Sequence, residues 1–558
     1  MIKKPGGLKF ASNKIVLSAI LAQSIFVSGQ VIAKEEPKLV LMLTIDQLRG
    51  DQPNKYYDRF GEGGFKYLMD KGTVYNNAHF KHSTTFTAVG HATLATGGSA
   101  LQHGLAGNDW ENAKTGERIY CVEDPNHNII GKKYKDNKGT SPLNLTSSTI
   151  GDELHLSSGQ RSRVFSVSIK DRGAILPGGH LGKAFWYGSG SGKFVSSTYY
   201  YDEYPKWVSE YNGLKKADAY QSQSWDLLNP ADSYTFAYQD GREMEKGYKH
   251  LKNTFPHKLG NEKAKNFYKA LRFTPMGDAL TVDFAKTLME QEQLGRGEAT
   301  DMLAVSLSAT DYIGHAYGPN SLEAEDNMLR LDRTLADLFS HVDKKVGLEN
   351  TLIFLSSDHG TDEIPEYRKA VAGDYHAGRH YPKKFISKVN EALQLRYGTS
   401  EKMVSSFWNP SIYLTLPAIK KLGLNLEEVE RALAEEILKV DGVAFALTRT
   451  DLLKGNVTSN ATVARVQNAF HPVRSGNVLI VQDQFWYLYP NADQFSAMHG
   501  SPYSYDTHVP IMFAGPGIKA QAVNRKVAPM DIAGTVSTYL GTAKPSGSIG
   551  DPLFEILK

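Results

Sequence analysis

Three continuous apolar runs, each followed closely by an aspartate, constrain this chain more than any other feature. Lys38 to Ile45 (KLVLMLTI) ends at Asp46, Met302 to Ser308 (MLAVSLS) precedes Asp311, and Thr351 to Leu355 (TLIFL) leads to Asp358. An unbroken apolar run suits a strand covered on both faces, as in parallel sheets wrapped by helices. A fourth run, Val509 to Phe513 (VPIMF), follows His499. Between the second and third runs, Leu331, Leu335, Leu338 and Val342 recur at three- and four-residue spacing, the apolar stripe of a helix. This strand–helix–strand rhythm predicts an α/β fold with a largely parallel central sheet and helices on both faces.

Ligands of such sheets gather beyond the carboxyl ends of the strands. Asp46, Asp311 with His315, the pair Asp358-His359, and His499 would then meet at one edge. Three carboxylates and three imidazoles suit two transition-metal ions such as zinc. A hydroxyl among them, Thr87, would complete a two-metal phosphotransfer site.

The first 33 residues are expected to be a secretory signal. Lys3, Lys4, Lys9 and Lys14 form a basic region, Ile15 to Val27 is mostly apolar, and Val31-Ile32-Ala33 resembles a small-residue cleavage site. The apolar run is short for a membrane span, so no stable span is expected after cleavage, and a periplasmic or secreted location follows. Without those four lysines the chain holds 59 Lys+Arg against 60 Asp+Glu, so no charge excess argues for a nucleic-acid partner. The single cysteine, Cys121, cannot form an intramolecular disulfide. Residues 34–558 are read as one catalytic domain with two insertions, and a monomer is the default expectation. The first insertion, about 184–270, is dense in Tyr, Trp, Lys and Gly and reads as irregular chain near the site. The second, about 364–490, carries a helix with Leu426, Val429, Leu433 and Ile437 on one face, capped by Asn425, and a strand-like run from Val478 to Val481. It reads as a small α+β cap.

Local sequence does not single out Thr87 among the hydroxyls of Thr84-Thr85-Phe86-Thr87-Ala88-Val89-Gly90-His91. A threonine opening a helix would stand beside free N–H groups and the positive dipole end, which suits a phosphoryl group; an ordinary helix cap reads the same way. Lys170-Asp171-Arg172 follows the strand-like Val164 to Ile169, and alternation would point both cations to one side if the strand continues. A solvated charge pair is the ordinary alternative. Asn108 lies twenty-one residues after Thr87, in His-Gly-Leu-Ala-Gly-Asn-Asp-Trp (103–110).

With these motifs in this order, the chain resembles the alkaline phosphatase superfamily in its nucleotide pyrophosphatase/phosphodiesterase-related branch. The resemblance is strongest to the bacterial threonine-nucleophile alkaline phosphatases of the PafA type, and it runs from Asp46 to about Pro516. It implies that Thr87 is the nucleophile and also a metal ligand, and that Asn108 donates to a phosphoryl oxygen. It implies one zinc on Asp46, Asp358 and His359, and a second on Asp311, His315 and His499. It assigns Lys170 and Arg172 to the phosphoryl oxygens of a monoester dianion, for which a planar fork and a mobile point charge are suited. The implied function is secreted, zinc-dependent hydrolysis of small phosphate monoesters through a phospho-threonine, with a role in phosphate acquisition. The alternative is a phosphodiesterase or nucleotide pyrophosphatase with the same two-metal site.

Two histidines compete for one assignment. His499 belongs to the His-Gly pair the resemblance requires, whereas His508 is expected to support the strand entrance. Gly188 to Lys193 (GSGSGK) has the wrong spacing for a phosphate-binding loop and is read as a turn, as is Arg49-Gly50-Asp51. His376 and His380 are read as surface histidines, and His91 as a helix residue supporting the site.

Overall fold

The computed structural model describes residues 36–557 except 132–138, 262–265 and 374, together with residues 1, 6 and 7. The chain divides into Met1–Glu35 and Glu36–Lys558, and the architecture below is that of the second unit. The expected signal lies outside the described residues.

A nine-stranded sheet forms the centre. Its strands are β1 (Leu39–Ile45), β2 (Thr73–His79), β3 (Val164–Ser168), β4 (Lys183–Gly188), β5 (Lys193–Val195), β6 (Asp301–Leu307), β7 (Thr351–Ser356), β8 (His508–Ala514) and β9 (Gln521–Val523). They lie in the order β9-β2-β8-β7-β1-β6-β3-β4-β5. The block β7-β1-β6-β3-β4 is parallel throughout. β8 runs antiparallel to both β7 and β2, and β5 antiparallel to β4. The expected α/β architecture is therefore present, with one reversed strand inside it.

The apolar runs are continuous because each strand serves two cores. Leu39, Leu41, Leu43 and Ile45 of β1 join one hydrophobic cluster, while Val40 and Met42 join another. Successive side chains point to opposite faces, and both faces are covered. On the first lie α4 (Met276–Gln291), α5 (Ala309–Tyr317) and α6 (Leu322–Lys345); on the second lie α2 (Ile150–Ser157) and α7 (Asp531–Leu540). Two more helices sit at the carboxyl edge, α1 (Thr87–Thr96) and α3 (Asp171–Gly178). The predicted stripe of α6 (Leu331, Leu335, Leu338 and Val342) is buried.

The Tyr- and Trp-rich segment is less separate than its composition suggests. Its first residues form β4 and β5 of the central sheet, joined by the predicted 188–193 turn. The rest is short elements pinned to the first turns of α6. Asp326 accepts from the Trp225 indole at 2.6 Å, the Tyr234 hydroxyl at 2.6 Å and the Leu228 N–H at 2.7 Å. Glu325 accepts from the N–H groups of Thr235 and Phe236 at 2.9 and 3.0 Å. Tyr and Trp bury area while their polar tips take a buried carboxylate, so the segment, irregular as expected, is anchored to α6 by a few buried side chains.

The second insertion has its own antiparallel sheet, in the order Val404–Trp408, Ser411–Leu414, Val478–Gln482, Val443–Thr448. The helices Pro382–Tyr397 and Leu426–Ile437 pack against it around a separate hydrophobic cluster. Asn425 caps the second helix by accepting from the Glu428 N–H at 3.3 Å.

Asp326→Ala would strand several buried donors at once, and a lost buried acceptor costs about 1–3 kcal/mol per group left unsatisfied. We expect a loss of about 3 kcal/mol in urea unfolding together with faster proteolysis between residues 225 and 260. A change below about 0.5 kcal/mol would mean that Asp326 does not anchor the segment.

Candidate active site

The acids and histidines of the sequence reading meet at the carboxyl edge of the parallel block, each delivered by a different device. Asp46 directly follows β1, and Asp358-His359 follows β7 by one residue. Asp311 and His315 lie four apart on α5, which puts the His315 Nε2 3.2 Å from Asp311 Oδ1. His499 arrives from the other direction. Because β8 is antiparallel, the segment leading into it lies at the same edge as the loops leaving its parallel neighbours.

The result is two buried groups of three, Asp46-Asp358-His359 and Asp311-His315-His499, each offering ligand atoms within 4.8 Å of one another. The His359 and His499 rings stack at 3.5 Å, so the groups adjoin. His508 belongs to neither. It stacks on His79 at 4.8 Å and its Nε2 bonds the Asn76 carbonyl at 2.9 Å, which is support for the strand entrance.

All three site histidines present the same nitrogen. Nδ1 of His315, His359 and His499 bonds a backbone carbonyl, of Ala497 at 2.9 Å, Gly360 at 3.0 Å and Thr85 at 2.7 Å. A donor role there leaves each Nε2 lone pair facing the carboxylates, the arrangement that fits a metal ligand. Burial pushes His359 down to about 3 and also lowers His499, so both imidazoles are neutral near pH 7.

The carboxylates are harder to accommodate. Burial, then the charge of Asp358, pushes the Asp46 carboxyl well above the usual carboxylate range. Burial also opposes ionisation of Asp311, yet His315 and Lys170 hold it well below that range. Asp46 Oδ1 and His359 Nε2 are buried 3.6 Å apart and neither has a hydrogen-bond partner. Two acceptors facing one another in a dry site require a cation or a shared proton, so the donor set fits divalent metal. Lys170 provides an ammonium 2.7 Å from Asp46 Oδ2 and 2.6 Å from Asp311 Oδ2. Burial disfavours that charge, but Asp311 and Asp46 hold it above the ordinary lysine range.

Thr87 is the first residue of α1, as expected, and is buried. Its Oγ1 lies 3.3 Å from Lys170 Nζ and 3.4 Å from Arg172 Nη2. The two cations do converge, but not by strand alternation. β3 ends at Ser168 and α3 begins at Asp171, so Lys170 is the residue capping that helix and Arg172 lies in its first turn. Asn108 Oδ1 accepts from the Ala88 N–H at 3.0 Å, which leaves its Nδ2 as the donor.

Several supporting residues carried little or no sequence signal. Gln47, immediately after Asp46, links the two groups: its N–H donates to Asp358 Oδ1 at 3.1 Å and its Nε2 to Asp311 Oδ1 at 3.0 Å. It does so with a φ of 68°, in the left-handed region. Gly314 makes the room, since a Cβ there would lie 1.9 Å from Gln47 Oε1. Tyr120 holds Arg172 by accepting from Nη1 at 3.3 Å while donating to Asp171 Oδ1 at 2.6 Å. His91 supports the site as expected, with ring contacts to the Thr87 carbonyl, Ser306 Oγ and Asp358 Oδ2. Gly90 lets α1 close onto the Asp358 backbone, where a Cβ would meet the carbonyl oxygen at 2.0 Å. Away from the site, Arg49 and Asp51 form a local ion pair at 2.6 Å. His376 is exposed, but His380 is buried and bonds the Gly442 carbonyl at 2.9 Å, which corrects its reading as a surface histidine.

The family model described as type I phosphodiesterase/nucleotide pyrophosphatase matches residues 40–502. A protein named calcium-transporting ATPase from Myroides odoratus is 37% identical over 548 residues, covering 97% of this chain and 99% of its own length. Alkaline phosphatase PhoV of Synechococcus elongatus is 37% identical over 538 residues, covering 95% and 94%. The crystal structure of wild-type alkaline phosphatase PafA is similar with a TM-score of 0.87 at 36% identity, covering 94% of this chain and 99% of that one.

Ligand binding to the folded state alone stabilises it, by about 4 kcal/mol at a thousandfold excess over Kd. Stripping the protein with a strong chelator should therefore lower its unfolding midpoint by several degrees, and a divalent transition metal should restore it. A midpoint indifferent to both treatments would contradict metal binding at this edge.

Proposed function

The chain belongs to the type I phosphodiesterase/nucleotide pyrophosphatase family, and from that premise we propose an alkaline phosphatase whose nucleophile is Thr87. The enzyme is a phosphoric monoester hydrolase. The observation that carries the assignment of roles is the position of the Thr87 hydroxyl, at a helix start, between the ammonium of Lys170 and the guanidinium of Arg172.

Asp46, Asp358 and His359 would hold one divalent ion and Asp311, His315 and His499 another; these imidazoles and carboxylates suit zinc. Such ions, when bound, supply Lewis acidity to the attacking and leaving oxygens. The rest of the chemistry belongs to the chain. The positive charges of Lys170 and Arg172 and the dipole of α1 favour the ionised form of Thr87. Its oxygen forms a bond to phosphorus as the bond to the substrate alcohol breaks, giving a phospho-threonine. Arg172 and the Asn108 amide hold the non-bridging oxygens, with Tyr120 fixing the guanidinium. Water then cleaves the Thr87–phosphate bond, releases inorganic phosphate and restores the hydroxyl.

Lys170 enters this scheme differently from the sequence expectation. Its nitrogen is engaged with Asp46 and Asp311 as well as Thr87, so it would stabilise the nucleophile and the acid pair along with any phosphoryl oxygen it reaches. Export is part of the proposal and rests on the basic, then apolar, N-terminal residues. No helix of the described residues is long and apolar enough to cross a membrane.

Thr87→Ala should reduce kcat on a simple monoester by at least about a thousandfold, measured on protein with full metal content. Retention of most activity would overturn the nucleophile assignment. The phosphodiesterase alternative is tested by a matched monoester and diester. Combining Lys170→Ala and Arg172→Ala should cost the monoester about tenfold or more beyond the diester, and equal losses would remove these cations from substrate choice.

A further inference from the structure

A cavity of about 350 Å³ adjoins the site between the catalytic sheet and the second insertion. Its walls include Phe86, Asn108, Arg118, Trp408, Tyr489 and Gln494. We infer that this cavity receives the alcohol portion of the ester, and that it selects flat aromatic leaving groups over saturated ones. The inference rests on the phosphomonoesterase reading above.

Its place relative to the two acid–histidine groups carries the first half. α1, which begins at Thr87, packs on Asp358 through Gly90 and His91. The cavity borders the opposite group. Phe86 lies edge-on to the His499 ring at 5.5 Å, and Tyr489 touches Phe495, which stacks on His315 at 4.6 Å. Attacking and leaving oxygens stand roughly in line across phosphorus. With Asn108 at the phosphoryl end, a leaving group directed away from Thr87 enters this cavity.

The lining chemistry carries the second half. Trp408 and Tyr489 offer aromatic surface, and both are partly exposed. The Arg118 guanidinium lies 5.5 Å from the Trp408 ring, and a guanidinium plane is itself a surface on which flat rings stack. Arg118 is paired with Asp109, so the wall carries no net charge and suits a neutral guest. The cavity is also held open in advance. Ser405, on the strand that carries Trp408, donates to Glu111 at 2.9 Å, and Glu111 belongs to the hairpin Asp109–Glu111/Arg118–Tyr120. A preformed wall that offers aromatic and guanidinium faces among polar groups rewards planar guests without a conformational cost.

Aryl and nucleoside alcohols share this flat chemistry, and two matched pairs of primary monoesters separate them. One pair is 2-naphthylmethyl against cyclohexylmethyl phosphate; the other is adenosine 5′-phosphate against ribose 5-phosphate. Within each pair the leaving alcohols have similar acidity, so kcat/KM compares binding of the group and not its departure. We expect the flat member of at least one pair to be preferred about three- to tenfold. Trp408→Leu and Tyr489→Leu, made separately, should each shrink that preference toward one. Preference in both pairs marks any flat ring as a guest; preference in one names its source. No preference in either pair overturns the inference, as does a preference that survives both substitutions. Absence of hydrolysis of all four esters by the metal-loaded protein would instead strike the phosphomonoesterase reading.

Discussion

Three carboxylates crowded into one buried sheet edge set the terms for the rest of this molecule. Asp46, Asp311 and Asp358 are each almost completely removed from water. Like charges in a dry site repel strongly, and left alone they would take up protons. Most of what surrounds them answers that problem. Lys170 places its ammonium on two of them, three imidazoles turn their lone pairs inward, and Gln47 ties Asp358 to Asp311 with two N–H groups. Each imidazole is locked through Nδ1 by a backbone carbonyl. A site arranged this way fits divalent cations, and the Thr87 hydroxyl stands beside two basic side chains.

Asn108 and the residue that holds Arg172 share one small hairpin. Asn108 precedes its first strand and Tyr120 ends its second, with the Cys121 N–H bonded to the Asn108 carbonyl at 3.0 Å. Tyr120 fixes Arg172, and Glu111 receives the serines of the second insertion. One element thus joins the Asn108 amide, the guanidinium beside Thr87 and the wall of the neighbouring cavity. A disturbance in the second insertion should therefore be felt at Arg172, although neither group of acids and histidines includes a residue of it.

Much of this was legible along the chain. The apolar runs named the central strands because a strand covered on both faces has no polar positions to interrupt it. The Asp311–His315 spacing worked because four residues make one helical turn. The His-Gly pair selected His499 over His508, and the structure separates them by whether the ring meets the acids or stacks on His79. The failures have physical reasons as well. Composition marks the Tyr- and Trp-rich segment as irregular, which it is, but does not show that Trp225 and Tyr234 bury their rings and hand their polar tips to Asp326. His380 looked like surface because a lone histidine carries no record of the carbonyl waiting for it. Alternation would put Lys170 and Arg172 on one side only if the strand continued; it ends at Ser168, and a strand-to-helix turn does that work.

By itself the sequence determined the α/β class and, through motif order and the resemblance it carries, the acids and histidines that meet. The class is written in hydrophobic periodicity, which is local, and the residue set in the order of short motifs along the chain. Only the tertiary structure decided that β8 runs backwards and so brings His499 to the shared edge. It alone revealed Gln47 between the two groups, Lys170 on the carboxylates and Tyr120 behind Arg172. These depend on contacts between residues tens to hundreds of positions apart, and such contacts are fixed by how buried charges find partners once the sheet has closed around them.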